Sequence, residues 1–311
     1  MRYAGSITDV PGLLAGHYTD RAAATGCTVV IAPEGAVGGV CVRGAAPGTR
    51  ETDLLKPGNL VERVNAVALC GGSAYGLAAA TGVMAWCEEQ GYGLDVGVAK
   101  VPIVPAAVLF DLGVGTPHVR PDGAAGYAAC QAAGPGPMTQ GRVGAGTGCT
   151  VGKALGERYA MGCGIGSASL KLPSGVTVAA VVAVNALGDI FDHTSGVQIA
   201  GARDQTGAWL GIADRLLEGV PSKSLAGENT TIGIVATDAA LTKAEANRIA
   251  SVAHDGYAMT IRPVHTMNDG DTLFTLSYGE KREDMTVLCA AAVEAVARAI
   301  VNAAVAGGVT E

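Results

Sequence analysis

The chain has 311 residues, of which 49% are hydrophobic and 16% are charged, and its net charge is −7. This composition argues against an intrinsically disordered chain. The acidic balance gives no support for nucleic-acid binding, and aromatic residues, at 4%, are too few for base-stacking platforms. The low charged fraction instead favours a protein that buries much of its surface between subunits.

The eight cysteines lie mostly in segments rich in Ala, Val and Gly, and they form no Cys-x-x-Cys pair. This is the pattern of small buried thiols in a reducing cytosol. The N-terminal residues lack the apolar core of a signal peptide, and no charge-free apolar stretch reaches about 18 residues. We therefore expect a cytoplasmic protein without a transmembrane helix or a membrane partner.

The first 60 residues are predicted to form short strands and turns. Segment 7–12 has the pattern of a strand that ends in a Pro-Gly turn. Segments 27–32 and 39–43 are predicted to pair as two strands around a turn.

A predicted buried strand over 64–70 runs into Gly71, Gly72 and Ser73 and then into a helix over 74–90. Ser73 suits the N-cap of this helix, and Gly91 suits the position just after its end. The paired glycines allow a close approach to the backbone, whose amide groups could face an anion or a carbonyl oxygen. A tight packing turn is an equally good interpretation.

The glycine-rich segment 141–153 has the composition of a phosphate-binding loop without its spacing. Thr147 stands where the first glycine is needed, and Ala154 stands where Ser or Thr would bind Mg²⁺. A dinucleotide fingerprint that starts at Gly144 fails at Cys149. A glycine-rich wall with Lys153 at its edge fits the segment better than nucleotide binding does.

The remaining chain alternates apolar strands with Ala-rich helices, which is compatible with an α/β fold. The strongest strand signal covers 175–185 and ends at Asn185, either a hydrogen-bond donor to a ligand or part of an Asx turn. Strands are also predicted over 231–237 and 271–278. Helices are predicted from Thr242, which forms a capping box with Glu245, and over 284–306. No linker divides the chain, so one domain is expected over 1–311.

The sequence lacks the motifs of two common classes of hydrolase. Around Ser73 the nucleophile-elbow pattern is missing its last glycine. The five histidines show no spacing of zinc ligands, and His193 and His265 are interpreted as local hydrogen-bonding residues. No metal or cofactor is expected.

A polar loop meets an apolar strand at Asn229 and Thr230. A threonine hydroxyl is a poor nucleophile until a base takes its proton. Cutting the Asn229–Thr230 bond would give Thr230 a free α-amine, whose usual pKa of about 7.7–8.0 suits it to act as that base. The same hydroxyl could make the cut through an N→O acyl shift. The dipeptide alone is a weak signal.

Taken together, seven segments resemble peptidase family S58 (P1). This family includes D-aminopeptidase/esterases, β-peptidyl aminopeptidases and endo-type hydrolases of nylon (6-aminohexanoate) oligomers, and it is distantly related to ornithine acetyltransferase. The matching segments span nearly the whole chain in family order: 7–12 (ITDVPG), 71–77 (GGSAYGL), 144–148 (GAGTG), 184–186 (VNA), 229–230 (NT), 236–238 (ATD) and 269–272 (DGDT).

The resemblance implies an N-terminal-nucleophile amidohydrolase with a four-layer α/β/β/α sandwich. The precursor would cut itself into a long fragment, 1–229, and a short fragment, 230–311, and assemble as a tetramer of cleaved protomers. Thr230 would attack the amide bond of a small peptide or a linear amide. Asn185 would supply the oxyanion-hole side chain, where losing one donor typically costs about 10²–10³ in rate.

The resemblance also assigns charged and substrate-side residues. Lys153 would help to keep the Thr230 amine neutral, whereas Asp269 and Asp271 would orient the amine and the hydroxyl, unless they only form a turn. Tyr75, with Ser73 and Gly72, is expected to bind substrate.

One departure narrows the resemblance. β-Peptidyl aminopeptidases carry Ser at the nucleophile position, so Thr230 places this chain nearer the nylon-oligomer hydrolases. An acyltransferase that uses the same acyl-enzyme and a non-catalytic ligand-binding protein of this fold are the alternatives.

Overall fold

A computed structural model describes residues 1–223 and 227–308. Over these residues the strands β1 to β16 are Leu14–Asp20, Thr25–Val42, Thr49–Arg50, Arg63–Cys70, Leu94–Asp95, Lys100–Val101, Ala106–Val108, Thr150–Val151, Met161–Gly162, Ile165–Lys171, Thr177–Asn185, Asp189–Phe191, Gln198–Ala200, Thr230–Ala239, Ile261–Arg262 and Thr272–Lys281. The helices α1 to α6 are Ala79–Glu89, Gly123–Gln131, Ile212–Leu217, Lys243–Ala253, Asp255–Thr260 and Met285–Gly307.

A nine-stranded mixed sheet organises the molecule, in the order β10-β11-β14-β16-β2-β4-β7-β3, with β1 also beside β2. Strand β14 runs antiparallel to β11 and parallel to β16. It also contacts β4 and β7, which are not its neighbours in the sheet. The sheet therefore folds back on itself, so that its two halves face each other.

The long strand β2 connects these halves. Its first part pairs with β1 and β4, whereas its last part pairs with β16. Helices α1 and α2 cover the half that contains β1 and β4, while α4 and α6 cover the half that contains β10, β11 and β16. This is a four-layer α/β/β/α arrangement, and the predicted fold class is confirmed.

Two local predictions were wrong. The predicted strands 27–32 and 39–43 form one strand, β2, which ends at Val42. The turn-like residues between them form an irregularity in the pairing, with Gly35 at φ +78°, and not a reversal of the chain. Residues Ile7–Asp9 form a 3-10 turn instead of a strand. Ser6 and Asp9 close a capping box there, which outweighs the strand preference of the sequence.

The helix predicted to start at 74 begins differently. Ser73–Ala78 form a 3-10 turn, and α1 follows from Ala79. The Ser73 side chain does not cap this helix, because the left-handed Gly72 precedes the turn. Gly91 lies in the left-handed conformation after α1, as predicted.

The predictions for β4, β11 and the later helices were confirmed. All nine residues of β11 are buried, as its continuous apolar run predicts. The Thr242–Glu245 capping box begins α4.

Helix α6 is, among the described residues, long and apolar enough by length and composition to cross a membrane. Its most apolar window is 67% buried inside the protein. It packs on β10 and β11 and carries an ion pair between Arg298 and Glu294, 2.7 Å apart. These are the properties of a core helix.

Candidate active site

Thr230 is the first residue of β14 and lies opposite Asn185, the last residue of β11. Its side chain is buried, and its hydroxyl donates to the carbonyl oxygen of Asn229 over 2.5 Å. The backbone N–H of Gly270 donates to the same oxygen over 2.9 Å. Two donors of the described residues thus hold the peptide carbonyl that precedes Thr230, and one of them is the Thr230 hydroxyl itself.

The segment that precedes β16 shapes this contact. Asn229 and Asp269 form a parallel bridge, which places the Gly270 backbone against the Asn229–Thr230 bond. A Cβ atom on Gly270 would lie 2.8 Å from the Thr230 Oγ1 and 2.7 Å from the Ala46 carbonyl oxygen. Only glycine permits this approach without moving the Thr230 hydroxyl.

Lys153 is a buried lysine that contacts carbonyl and amide oxygens. Its Nζ donates to the carbonyl oxygen of Glu228 over 2.9 Å, to the Asn185 Oδ1 over 3.0 Å and to the Asn185 carbonyl oxygen over 3.2 Å. Within the described ranges it forms no ion pair with a carboxylate. Burial lowers the pKa of Lys153 to about 8. The group therefore changes its charge close to neutral pH.

Asn185, like Lys153, binds the Glu228 carbonyl. Its Nδ2 donates to the Phe110 carbonyl oxygen over 2.8 Å and to the Glu228 carbonyl oxygen over 3.3 Å. Its Oδ1 accepts from the Thr150 N–H over 3.0 Å. In the uncut chain, Asn185 and Lys153 thus bind the carbonyl one residue before the Asn229 carbonyl.

Asp269 and Asp271 stand on either side of Gly270. Asp271 accepts the Thr231 N–H on Oδ1 and His265 Nδ1 on Oδ2, over 2.7 and 2.8 Å respectively. Burial, and then the Asp271 carboxylate, raise the pKa of Asp269 to about 6. The two acids lie in one buried site, and Asp269 gains its charge only as the pH approaches neutrality.

The Gly71–Ser73 junction forms the opposite wall. Ser73, at φ +54°, lines a cavity of about 120 Å³ together with Ala74, Phe110, Gly227, Thr230 and five further residues. These five are Ala46, Pro47, Gly48, Val108 and Leu109. Three larger cavities, of about 420, 480 and 470 Å³, are lined by none of the predicted site residues.

Gly72 and Tyr75 lie further from this cavity than Ser73. The Gly72 N–H donates to the buried Asp111 carboxylate over 2.7 Å, so this amide does not face the cavity as an open donor. Tyr75 is 62% exposed, and the Arg120 guanidinium lies 3.9 Å from the centre of its ring. The structure therefore brings Ser73 to Thr230 and places Tyr75 on the open surface.

Three functional groups at the site were not found from sequence. They are the Gly270 N–H, the Asp111 carboxylate under the Gly71–Ser73 junction, and His265 on Asp271. Backbone donors carry no residue signature, and Asp111 follows an unremarkable apolar strand. His265 was interpreted only as a local hydrogen-bonding residue.

Comparison with known proteins supplies a family for this arrangement. A model of peptidase family S58 matches residues 5–311. An uncharacterized aminopeptidase of Mycobacterium leprae is 47% identical over 291 residues, covering 88% of this chain and 78% of the relative. A 6-aminohexanoate-oligomer endohydrolase of Agromyces sp. is 36% identical over 280 residues, covering 88% of this chain and 74% of the relative.

Solved structures agree on the fold. A β-aminopeptidase of Burkholderia sp. superposes with a TM-score of 0.71 at 25% identity, covering 98% of this chain and 88% of that one. The L-aminopeptidase D-Ala-esterase/amidase of Ochrobactrum anthropi superposes with a TM-score of 0.73 at 20% identity, covering 97% and 86% respectively. That protein is described as a variant of the Ntn-hydrolase fold.

Proposed function

Because the chain belongs to peptidase family S58 and is a hydrolase of amide or peptide bonds, we propose that it cuts itself between Asn229 and Thr230. Thr230 then works as an N-terminal nucleophile on small peptides or linear amides. The observation that carries this proposal is the Thr230 hydroxyl, 2.5 Å from a carbonyl oxygen that also accepts the Gly270 N–H.

The cut begins with the Thr230 hydroxyl. Its oxygen attacks the Asn229 carbonyl carbon, and the Gly270 N–H stabilises the negative charge that develops on the carbonyl oxygen. The C–N bond then breaks, the proton passes from the hydroxyl to the Thr230 nitrogen, and an ester joins Asn229 to the Thr230 side chain. Water hydrolyses that ester, which leaves a carboxylate on Asn229 and a free amine on Thr230.

Release of the new C-terminus would free donors for substrate. While the chain is uncut, the Glu228 carbonyl uses the Lys153 Nζ and the Asn185 Nδ2. Once this carbonyl moves away, both donors are available to the oxygen of a substrate amide. Thr230 then forms an acyl-enzyme with its own amine as the base, the leaving amine takes the proton, and water releases the acid.

Lys153 and the two aspartates favour opposite protonation states of the Thr230 amine. The positive charge of Lys153 favours the neutral amine, which can act as a base, whereas ionised Asp269 and Asp271 favour the protonated amine. Because the pKa of Lys153 is lowered to about 8 and that of Asp269 is raised to about 6, the two groups carry opposite charges at neutral pH.

The substrate class is narrowed by the relatives and by the space at Thr230. The relatives above are named aminopeptidases and 6-aminohexanoate-oligomer endohydrolases. Their names do not favour the acyltransferase or the non-catalytic alternative. The cavity of about 120 Å³ beside Thr230 suits a slender acyl group. We propose amides of unbranched amino acids as substrates, with nylon-type oligomers among them.

The test combines two substitutions with a substrate panel. Thr230→Val keeps the side-chain volume and removes the hydroxyl, so this variant should remain one chain and hydrolyse nothing. Thr230→Ser keeps a hydroxyl and should still cut itself. Hydrolysis of α-, β- and ω-amino-acid amides by the wild type identifies the substrate class. Activity in an uncut Thr230→Val protein would refute the proposal.

We also propose assembly as a tetramer in the cytoplasm. Large apolar side chains on the monomer surface support assembly, among them Leu60, Val98 and Met267, which are 91%, 96% and 78% exposed. The eight cysteines, all within the described residues, are free thiols, which suits a reducing compartment. Light scattering of the cleaved protein and fractionation of the source cells test the two statements separately.

A further inference from the structure

A cluster of three aromatic rings lies behind Asp271. His265 stacks on Tyr257 with 5.9 Å between ring centroids, and it meets His254 edge-on at 4.9 Å. His254 and Tyr257 are fully buried. Burial lowers the pKa of His254 to about 4, so this ring adds no charge at neutral pH. The packing of the cluster fixes the plane of the His265 ring.

His265 directs its polar contacts at Asp271. Its Nδ1 lies 2.8 Å from the Asp271 Oδ2, and its backbone N–H donates to the same oxygen over 3.3 Å. Its Nε2 has no hydrogen-bond partner among the described residues, and neither have the His254 Nδ1 and the Tyr257 hydroxyl. Buried polar atoms without a hydrogen-bond partner are rare and destabilising in folded proteins, so this cluster is not arranged for stability alone.

The second oxygen of the Asp271 carboxylate contacts β14, the strand that begins at Thr230. The Asp271 Oδ1 accepts the N–H of Thr231, the residue that follows Thr230, over 2.7 Å. The Asp271 carboxylate therefore contacts the backbone at the first residues of β14. His265 makes this contact from a left-handed backbone conformation, at φ +57°. Few residues other than glycine, asparagine, aspartate and histidine adopt this conformation.

We propose that His265 is a positioning residue for Thr230. It holds the Asp271 carboxylate so that Oδ1 faces the Thr231 N–H, which keeps the Thr230 hydroxyl against the Asn229 carbonyl. This inference rests on the proposed function, in which that hydroxyl performs the cut and then the hydrolysis. The charged groups that face the histidine are Asp271 and, beyond it, Asp269, and Arg43 acts on the neighbouring His254.

Three substitutions separate the hydrogen bond from the backbone conformation. His265→Asn keeps a side-chain N–H near the position of Nδ1 and tolerates the left-handed conformation. His265→Gly tolerates the conformation without a donor, and His265→Leu offers neither. His193→Asn is the matched control, because His193 is likewise a half-buried histidine beside a carboxylate, 3.2 Å from that of Glu294.

The readouts are the rate of self-cleavage in full-length chains, kcat and KM of the cleaved protein, and the thermal midpoint. We expect the Gly and Leu variants to cut themselves about 10- to 100-fold more slowly, because a small misplacement of a reacting group is costly. Their kcat should fall more than their KM rises. The self-cleavage rate of the Asn variant should stay within about fivefold of the wild-type rate, and that of His193→Asn within about twofold.

Two results would overturn the inference. One is a His265→Gly variant that cuts itself as fast as His265→Asn, which would assign only a backbone role to position 265. The other is a Leu variant that cuts itself at the wild-type rate while its thermal midpoint falls. The wild type is measured in parallel: if it never cuts itself, the proposed function fails, whereas wild-type cleavage with unaffected His265 variants refutes only the positioning role.

Discussion

The two ends of the β11–β14 strand pair carry similar residues in different settings. At one end Thr230 lies opposite Asn185, and at the other end Thr237 lies opposite Val178. Both threonines are buried. Thr237 donates across the strands to the Thr177 carbonyl oxygen over 2.9 Å, whereas Thr230 donates to the carbonyl of its own preceding peptide. The first contact joins two strands, and the second places a hydroxyl beside the peptide bond between Asn229 and Thr230.

The lysines at the two ends differ in the same way. Lys281 is half exposed and lies 2.7 Å from the Asp238 carboxylate, an ordinary ion pair at the edge of the protein. Lys153 is buried beside carbonyl and amide oxygens, and burial lowers its pKa to about 8. Among the described residues Lys153 forms no ion pair, and such buried charges are costly and concentrate at functional sites. Residue type alone therefore does not distinguish the two ends, but the partners of each residue do.

The largest difference is expected between two single substitutions, Thr230→Ala and Thr237→Ala. Thr230→Ala should abolish both self-cleavage and amide hydrolysis, because the Thr230 hydroxyl is the proposed nucleophile of both reactions. Thr237→Ala should be cut and active, and its free energy of unfolding should fall by about 1–3 kcal/mol because a buried hydrogen bond is lost. Denaturing electrophoresis, amide hydrolysis and urea unfolding measure these quantities. Equal losses of activity in the two variants would show that the ends do not differ.

A second pair of variants compares the lysines. Lys153→Met should lower the hydrolysis rate by about 10²–10³, since one charged donor to the reacting carbonyl is lost. Lys281→Met should leave the rate within about twofold and lower the stability by about 0–1 kcal/mol, as for other partly exposed ion pairs. Steady-state kinetics on the cleaved proteins measure both. A Lys153→Met enzyme with wild-type kcat would remove the lysine from the mechanism.

A smaller effect is expected at Gly270. Gly270→Ala places a methyl group 2.8 Å from the Thr230 Oγ1, so the hydroxyl must shift away from the carbonyl. Because small misplacements of a reacting group are costly, we expect self-cleavage to slow by about 10- to 100-fold. Gly58→Ala is the matched control, since a Cβ there would meet nothing within 4 Å. A time course of self-cleavage in freshly translated chains tests this, and equal rates for both variants would contradict the role of Gly270.

The smallest effect is a change in the pH dependence of self-cleavage. Asp269 carries a proton below its raised pKa of about 6, and Lys153 loses its charge above its lowered pKa of about 8. If both charged forms are needed, the rate should be highest between these values and fall up to tenfold per pH unit outside them. Asp269→Asn should remove the acidic limb. A rate that is constant from about pH 5 to pH 9 would show that neither group takes part.

The sequence predicted the elements whose signals are local. The continuous apolar run of β11 and the Thr242–Glu245 capping box were confirmed because neighbouring residues alone determine them. The division of 27–43 into two strands was wrong, because pairing with β16 and β4 keeps β2 extended through its irregularity.

The site was predicted by resemblance and not by pattern. Asn185, Lys153 and Thr230 do meet, but the Glu228 carbonyl that lies between them is a backbone group with no sequence signal. His265 was predicted to form a local hydrogen bond, and it does so with Asp271, but this partner could not be named because the contact depends on a left-handed residue that returns the chain to Asp271. Contacts between segments far apart in the chain can be identified only when the fold is known.

The proposed function requires that the bond between Asn229 and Thr230 is cut. Intact-mass measurement of the purified wild-type protein under denaturing conditions tests this cut directly. We expect two polypeptides, one ending at Asn229 and one beginning at Thr230, in equal amounts. A single chain of 311 residues that hydrolyses amides at full rate would contradict it.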